Sequence, residues 1–236
     1  MHVSNYLCRQ LAVLPSRDTK RMSVKRNIQL SVLLSISVIL LMTSCSGSSP
    51  SYLPAKTPVS AADKFDRPDA NPIGGNWTTV PGATDLQIVS GAVAGSVDGF
   101  INTAYWNADT FSDNQCSQVT LIQAGAGIYS APVVRASHTE HSIYALNANG
   151  STSYQIFRVL ADVETKLGDD IPLVPASGDV LKICVSDTTI SAYINGVLQT
   201  KRTDSTIASG SPGIEVSTNG GFTSTPTIDN WSGWDL

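Results

Sequence analysis

Residues 180–200 (VLKICVSDTTISAYINGVLQT) decide the fold class. Apolar side chains occupy every second position over residues 181–185 and again over residues 190–194. This period of two is typical of β-strands with one buried face. Asn195-Gly196 follows directly, and both residue types accept the positive φ angles of a two-residue hairpin turn. The stretch therefore predicts an antiparallel meander of three strands.

The same kind of pattern continues through the body of the chain, and no window offers a helical stripe. Predicted strands cover residues 86–89, 101–106, 117–122, 129–135, 142–146, 154–160, 163–167, 180–186, 189–195, 197–203, 213–217 and 227–234. Composition agrees, because Ser plus Thr number 51 and Val 20, whereas Lys plus Glu number only ten. We predict an all-β fold, a two-sheet antiparallel β-sandwich or jelly roll.

Charge is unevenly distributed along the chain. Residues 1–44 carry six Lys/Arg against one Asp, a net +5, whereas residues 45–236 carry nine Lys/Arg against eighteen Asp/Glu, a net −9. An acidic body does not attract phosphate backbones, so nucleic acid is not an expected partner. No Gly-rich loop precedes a predicted helix, so a nucleotide is not expected either.

The N-terminal segment has the features of a secretory signal. Residues 30–42 (LSVLLSISVILLM) are continuously apolar, follow Lys25 and Arg26, and are too few to span a bilayer as a helix. The run ends in LMTSC, which resembles the bacterial lipobox, with Cys45 as the lipidated residue. We predict a signal peptide over residues 1–44, with a true start at Met22.

Residues 45–62 are rich in Ser, Pro and Ala and are predicted to be a tether between the lipid and a domain at 63–236. Ser46 follows the lipidated cysteine, which indicates export to the outer membrane of a Gram-negative bacterium. The expected location is thus the cell envelope, with membrane contact through the lipid anchor only.

Short motifs in the body, taken in order, resemble the concanavalin A-like lectin/glucanase superfamily, in particular laminin-G-like bacterial exported domains. They are Phe65-Asp-Arg67, Pro72-Ile-Gly-Gly-Asn-Trp77, Tyr105-Trp106, Ser117-Gln-Val-Thr120, Val134-Arg135, Ile194-Asn-Gly196, Gly210-Ser-Pro-Gly-Ile214 and Ile228-Asp-Asn-Trp231. The resemblance implies two facing sheets, a concave face that binds sugars, and calcium at its rim. It does not imply one activity, because the superfamily includes lectins, hydrolases, lyases and adhesive modules.

Catalytic patterns are weak in this sequence. The glucanases of the superfamily carry Glu-x-Asp-x-x-Glu on one strand, and this chain has no such pattern. Asp162 and Glu164 are the one pair of acids spaced by two that includes a glutamate, and they suit an exposed hairpin as well as catalysis. His138 and His141 lack the spacing of a zinc site and suit a turn between strands.

Cys116 and Cys184 lie on predicted strands of an exported domain, both facing away from the predicted core. They form a disulfide if their strands are neighbours and are free thiols otherwise. No metal ligand is assigned. The acids near the two domain ends either bind calcium or are solvated charges that keep a terminal edge strand from pairing with another chain. They are Asp63, Asp66, Asp229 and Asp235.

Sugar binding needs exposed aromatic rings and planar polar groups. The candidates on predicted central strands are Trp106, Arg135, Tyr144 and Arg158, with Tyr129 and Tyr154 as further aromatic residues. Arg135 follows Val134 on a strand whose superfamily equivalents often carry a ligand-facing Arg. Trp77 and Trp231 are predicted to fill the core.

Three hypotheses on function remain open at this point. The first is a lipid-anchored, non-catalytic module that binds a polysaccharide or other glycan. The second is a polysaccharide hydrolase or lyase with a non-standard acid pair. The third is an adhesive surface module that binds a protein.

Overall fold

The computed structural model describes residues 56–219 and 225–236, and their regular structure is entirely β-strand. The strands in chain order are β1 (Ser60–Asp63), β2 (Trp77–Thr79), β3 (Leu86–Val89), β4 (Ala92–Gly95), β5 (Ile101–Trp106), β6 (Gln115–Leu121), β7 (Ile128–Ala136), β8 (Ile143–Asn149), β9 (Ser153–Leu160), β10 (Val163–Lys166), β11 (Val180–Ser186), β12 (Thr189–Ile194), β13 (Val197–Thr203), β14 (Ser211–Thr218) and β15 (Ile228–Asp235). In these two ranges no helix is long and apolar enough to cross a membrane. The signal-peptide and Cys45 predictions lie outside the described residues.

The strands form two sheets, and every pairing between them is antiparallel. The first sheet has the order β13-β12-β11-β6-β15-β4-β3, and β1 pairs with β15. The second sheet has the order β10-β9-β8-β7-β14-β5-β2. The predicted two-sheet antiparallel sandwich is confirmed.

All twelve predicted strands are present, with small shifts at their ends. The meander from β11 to β13 has its turn where expected, since Asn195 and Gly196 both have positive φ angles, 51° and 78°. The structure adds three short strands to these, β1, β2 and β4, with three or four residues each. The first of them begins at Ser60, three residues before the expected start of the domain.

The main core lies between the two sheets and follows the predicted alternation. Leu181, Ile183 and Val185 of β11 are buried against residues of the second sheet such as Leu146 and Ile156. A smaller apolar cluster lies on the opposite face of the second sheet. We call this opposite face the outer face.

Three tryptophans join the sheets at one end of the core. Trp77 and Trp106 come from the second sheet and Trp231 from the first. The ring centroids of Trp231 lie 4.7 Å from those of Trp77 and 5.1 Å from those of Trp106. Each indole N–H donates a hydrogen bond, that of Trp77 to Asp63 and that of Trp231 to the Ser117 hydroxyl. The core role predicted for Trp77 and Trp231 is confirmed.

Cys116 and Cys184 form a disulfide between neighbouring strands. β6 and β11 pair with these two residues directly opposite each other, and their Cα atoms are 4.1 Å apart. The bridge links positions 68 residues apart in the chain. It therefore constrains a long loop of the unfolded chain.

Replacement of both cysteines by alanine is expected to lower the free energy of unfolding by about 4 kcal/mol, because the unfolded chain regains the entropy of that loop. Urea unfolding followed by tryptophan fluorescence measures the change. The unreplaced protein in a reducing buffer should match the double variant. Identical unfolding midpoints with and without reductant would show that the bridge has no stabilising effect.

Candidate functional site

The four residues predicted to bind ligand do not share an open surface. Trp106 belongs to the tryptophan cluster, and Tyr144 is completely buried in the core between the sheets. The Tyr144 hydroxyl donates to the Asp204 carboxylate at 2.6 Å and accepts from the Ile207 N–H at 3.0 Å. Burial, assisted by Asp204, raises the pKa of Tyr144 to about 12.

Arg135 is also directed to the interior, where only 3% of its surface is exposed. Its guanidinium donates hydrogen bonds to the backbone carbonyls of Asp113, Ile207 and Asp187 at 2.8–2.9 Å. The cause is a β-bulge: Arg135 has a φ of 51°, and the pairing of β7 with β14 shifts register at this point. A bulge places two successive side chains against one partner residue, so Arg135 faces inward and not towards a ligand, as the superfamily resemblance had implied.

Arg158 lies directly opposite Tyr144 in the second sheet and therefore on the same inner side. It binds the Asp204 carboxylate and the Thr206 hydroxyl, both at 2.8 Å. Arg135, Tyr144 and Arg158 thus converge on the segment 204–207, which they hold against the sandwich. This is a structural network, and a ligand site on an open sheet face has to be sought among other residues.

The middle of the outer face is covered by residues 80–83, which we call the covering segment. Hydrogen bonds to β5 hold it at both sides. The N–H of Val80 donates to the Thr103 carbonyl, and the N–H of Thr84, the next residue after the segment, donates to the Ile101 carbonyl. Val80 and Ala83 pack on apolar side chains of β7, β8 and β9. Gly82 lies close to the loop between β7 and β8, where a Cβ atom at this position would come within 3.2 Å of the Cβ of His141.

One cleft on the outer face, which we call the polar cleft, lies beside this apolar middle. Its volume is about 300 Å³, and it is lined by Ile101, Tyr129, Asn147, Asn149, Gln155, Phe157, Glu164, Glu215, Ser217 and Asn219. Four of these form one row of directly opposed residues across β5, β14, β7 and β8: Ile101, Ser217, Tyr129 and Asn149. Asn147 and Gln155 oppose each other in the next row.

The polar cleft also shows that the second sheet is curved. Glu164 is on β10 and Glu215 is on β14, four strands further along the sheet. In a flat sheet these strands would be about 19 Å apart. Because both side chains line one cleft, the sheet has to bend towards its outer face.

A second and larger cleft lies at the other ends of the strands of the outer face, and several of its polar groups already have partners. In this cleft, of about 570 Å³, the Tyr105 ring stacks on His138, and His138 Nε2 lies 3.0 Å from the Ser211 hydroxyl. Asp109 accepts a hydrogen bond from the Trp106 indole. The polar cleft differs, because the Asn147 amide oxygen and one oxygen of Glu215 are buried there without a hydrogen-bond partner. We therefore take the polar cleft as the candidate site.

No protein-family model matches the sequence, and no curated protein matches it. Solved structures do match. A β-1,3-1,4-glucanase (lichenase) derived from a mouse hindgut metagenome has a TM-score of 0.51 and 11% identity, over 75% of this chain and 98% of that chain. The fold is the concanavalin A-like jelly roll.

Other matching jelly rolls include a carbohydrate-binding module from Bacillus subtilis, with a TM-score of 0.47 and 16% identity over 68% of this chain and 92% of that chain. The galectin LEC-6 from Caenorhabditis elegans has a TM-score of 0.41 and 14% identity over 68% and 96%. At these identities the similarity shows the jelly roll fold alone, and the site has to be argued from its own residues.

The polar cleft of this jelly roll holds two carboxyl groups in different environments. Glu215 is only 5% exposed, and its burial, together with the negative charge of Glu164, raises its pKa to about 8. Partial burial also raises the pKa of Glu164, whose side chain is more exposed. At neutral pH the buried Glu215 carboxyl thus keeps its proton, and the polar cleft holds a second, more exposed carboxyl, Glu164.

The acid pair of the cleft is not the pair that sequence spacing suggests. Asp162 lies in the turn between β9 and β10 and contacts His141 Nδ1 at 3.0 Å, outside the polar cleft. Glu164 instead shares the cleft with Glu215, 51 positions later in the chain. Glu215 could have been found from its position between Ile214 and Val216, since a polar residue between two core residues of a strand faces outward.

The structure does not gather the acids considered for calcium. Asp63 accepts hydrogen bonds from Arg67 and from the Trp77 indole, whereas Asp235 accepts the backbone N–H of Ser112. Among residues 56–219 and 225–236, no group of three or more His, Cys, Asp or Glu side chains is placed to hold a metal ion. Asp63 and Asp235 have structural roles.

Glu215 predicts a specific dependence of stability on pH. Its pKa is about 8 in the folded protein against 4.5 ordinarily, so between these values the unfolded chain loses a proton that the folded protein keeps. Ionisation then favours the unfolded chain, and stability falls by up to about 1.4 kcal/mol per pH unit as pH rises through this window. Glu215→Gln removes this loss, and the variant should gain stability relative to the parent as pH rises.

Urea unfolding at several pH values from about 5 to about 9 measures the difference between parent and variant. Glu140→Gln, at an exposed glutamate outside the polar cleft, is the matched control and should show no such trend. A constant difference between parent and Glu215→Gln across the range would mean that Glu215 ionises normally.

Proposed function

We propose that this protein is a carbohydrate-binding module that holds a polysaccharide or other glycan in the polar cleft. The observation that carries the proposal is the cleft itself, in which amide, hydroxyl and carboxyl groups and two aromatic rings lie together on a curved sheet face. The lichenase, which has the same fold, acts on a β-1,3-1,4-glucan according to its name. We infer a ligand of the same general class for this chain.

The chemistry of the cleft suits a sugar in two ways. The apolar face of a pyranose ring packs on an aromatic ring, and Tyr129 and Phe157 are both partly exposed here. Sugar hydroxyl groups both donate and accept hydrogen bonds, as do the side chains of Asn147, Asn149 and Gln155. A buried acceptor without a partner, such as the Asn147 amide oxygen, is unfavourable until a ligand or water donates to it.

Isothermal calorimetry against a panel of polysaccharides tests this function directly. For a glycan that the parent binds, Tyr129→Ala and Phe157→Ala are each expected to weaken binding about tenfold, because each removes a ring on which the sugar packs. Tyr105→Ala is the matched control, since Tyr105 is an aromatic residue of the same face in the other cleft.

Arg158 belongs to the residues that the sequence analysis predicted to bind ligand. The variant Arg158→Ala therefore distinguishes binding at the Asp204 network from binding in the polar cleft. Unchanged binding by both cleft variants together with loss in Arg158→Ala would move the site to the Asp204 network. A parent protein that binds no member of the panel would contradict the proposed function and favour a protein partner.

A second candidate function, hydrolysis of the bound glycan, is favoured by the Glu164 and Glu215 pair. Glycoside hydrolysis requires two carboxyl groups, and the polar cleft holds a buried, protonated one and a more exposed one. The protonated Glu215 would act as the acid and Glu164 as the base or nucleophile. The calorimetry samples can be assayed for new reducing ends, which Glu215→Gln should abolish while it still binds.

We also propose that Cys45 carries the lipid that attaches the domain to the cell envelope, on the outer membrane. The apolar run and the LMTSC sequence support this location. Cys45→Ser is expected to abolish incorporation of labelled fatty acid and to release the protein from the membrane fraction. Ser48→Ala, in the predicted tether after Cys45, is the control and should behave like the parent. Equal labelling of both variants would exclude Cys45 as the lipid site.

A further inference from the structure

The side chains that line the polar cleft have an unbalanced charge. Glu164 and Glu215 are both acids, and the lining residues include no Lys, Arg or His. The neighbouring cation on β10, Lys166, is held by the Asp170 carboxylate at 2.7 Å. Tyr129 is the remaining titratable group of the lining. The negative charge of the cleft comes from Glu164, and from Glu215 once it ionises, and no described lining residue supplies a cation to balance it.

The hydrogen-bonding capacity of the cleft is unbalanced in the same direction. Glu215 is only 5% exposed. The Thr103 hydroxyl, directly opposite on β5, lies beside its carboxyl, but the Oε2 atom has no hydrogen-bond partner. The Oδ1 atom of Asn147 is likewise buried and without a partner. The Asn147 oxygen is an acceptor, and Glu215 accepts at both carboxyl oxygens once it ionises, so a ligand that supplies donors suits the site. An acidic lining and unpartnered buried acceptors are two separate observations that indicate the same kind of ligand.

We propose that the polar cleft selects a saccharide that carries a protonated amine, such as a glucosamine unit without an acetyl group. The inference rests on the proposed function, because the sugar ring is held by Tyr129, Phe157 and the amides. The ammonium group lies towards Glu215 and Glu164. Such a group supplies three N–H donors and a positive charge in one place.

A neutral sugar satisfies this site less well than an amino sugar. A hydroxyl group can donate only one hydrogen bond and leaves the negative charge of the cleft uncompensated. Charge-assisted hydrogen bonds are stronger than neutral ones, and the difference is larger at a desolvated carboxylate than in water. An N-acetyl group removes the charge and adds bulk at the same position. The amine is therefore the feature that the cleft discriminates.

The proton of Glu215 provides a second readout. In the empty cleft the buried carboxyl keeps its proton at neutral pH. An ammonium group beside it favours the ionised form, so binding should release that proton to the buffer. A neutral sugar has no such effect. Calorimetry in two buffers of different ionisation enthalpy measures the number of protons released.

The test compares three β-1,4-linked tetrasaccharides with the full chain at about pH 6, where the amine is protonated. They are the glucosamine tetramer, its fully N-acetylated counterpart and the glucose tetramer. The glucosamine tetramer is expected to bind at least about tenfold more tightly than the other two. Glu164→Gln and Glu215→Gln should each reduce this preference, and Glu140→Gln should preserve it. Proton release should disappear in Glu215→Gln.

Four other results would each overturn the inference, and each identifies a different failure. If the glucose or acetylated tetramer binds as well as the amine, the proposed glycan function stands and the amine selectivity fails. If the preference persists in both glutamine variants, the amine is bound elsewhere. If none of the three binds, the selectivity fails, while the broader glycan panel decides the proposed function separately. If calcium binds and Glu215→Gln abolishes that binding, the carboxyl pair is a metal site instead.

Discussion

The alternation of side chains in the second sheet, interrupted by the bulge at Arg135, is the constraint on which the rest of the structure depends. Along each strand one residue packs on the first sheet and the next faces outward. Ile214 and Val216 of β14 are thus buried in the core, and Glu215 between them lines the polar cleft. A register shift of one residue would exchange the core and the site. The core therefore determines which side chains are available to a ligand.

The covering segment determines which part of the outer face is used. Val80 and Ala83 bury the apolar middle of that face, where Ala131 and Val133 would otherwise contact water. The polar ends of the strands are left open as clefts on the same face. In the polar cleft the sheet curvature brings together strands that are distant in the sheet order. A buried carboxyl at this position costs stability as the pH rises from 4.5 to about 8, and a ligand that donates to it offsets that cost.

Residue types that suit sugar recognition also serve inside this sandwich. Tyr144 and Arg158 bind Asp204, and Arg135 binds the carbonyl of Ile207. Planar groups with several donors suit this task because a loop packed on a sheet exposes carbonyls and carboxylates that must be paired. On an open face these side chains would recognise hydroxyl groups. In this protein they hold the segment 204–207 against the sandwich. Residue type alone does not distinguish the two uses.

The sequence by itself determined the two-sheet antiparallel architecture, the hairpin at Asn195-Gly196 and the core positions of Trp77 and Trp231. These features follow from local periodicity and turn chemistry, which act between residues close in the chain. Glu215 was within reach of the same reasoning, since alternation alone places it outward. The inward orientation of the Arg135 side chain could not be predicted in this way, because a bulge in the pairing of β7 with β14 depends on the partner strand. Only the tertiary structure placed Glu164 and Glu215 in one cleft, because that meeting requires the strand order and the curvature of the whole sheet, which no local pattern encodes.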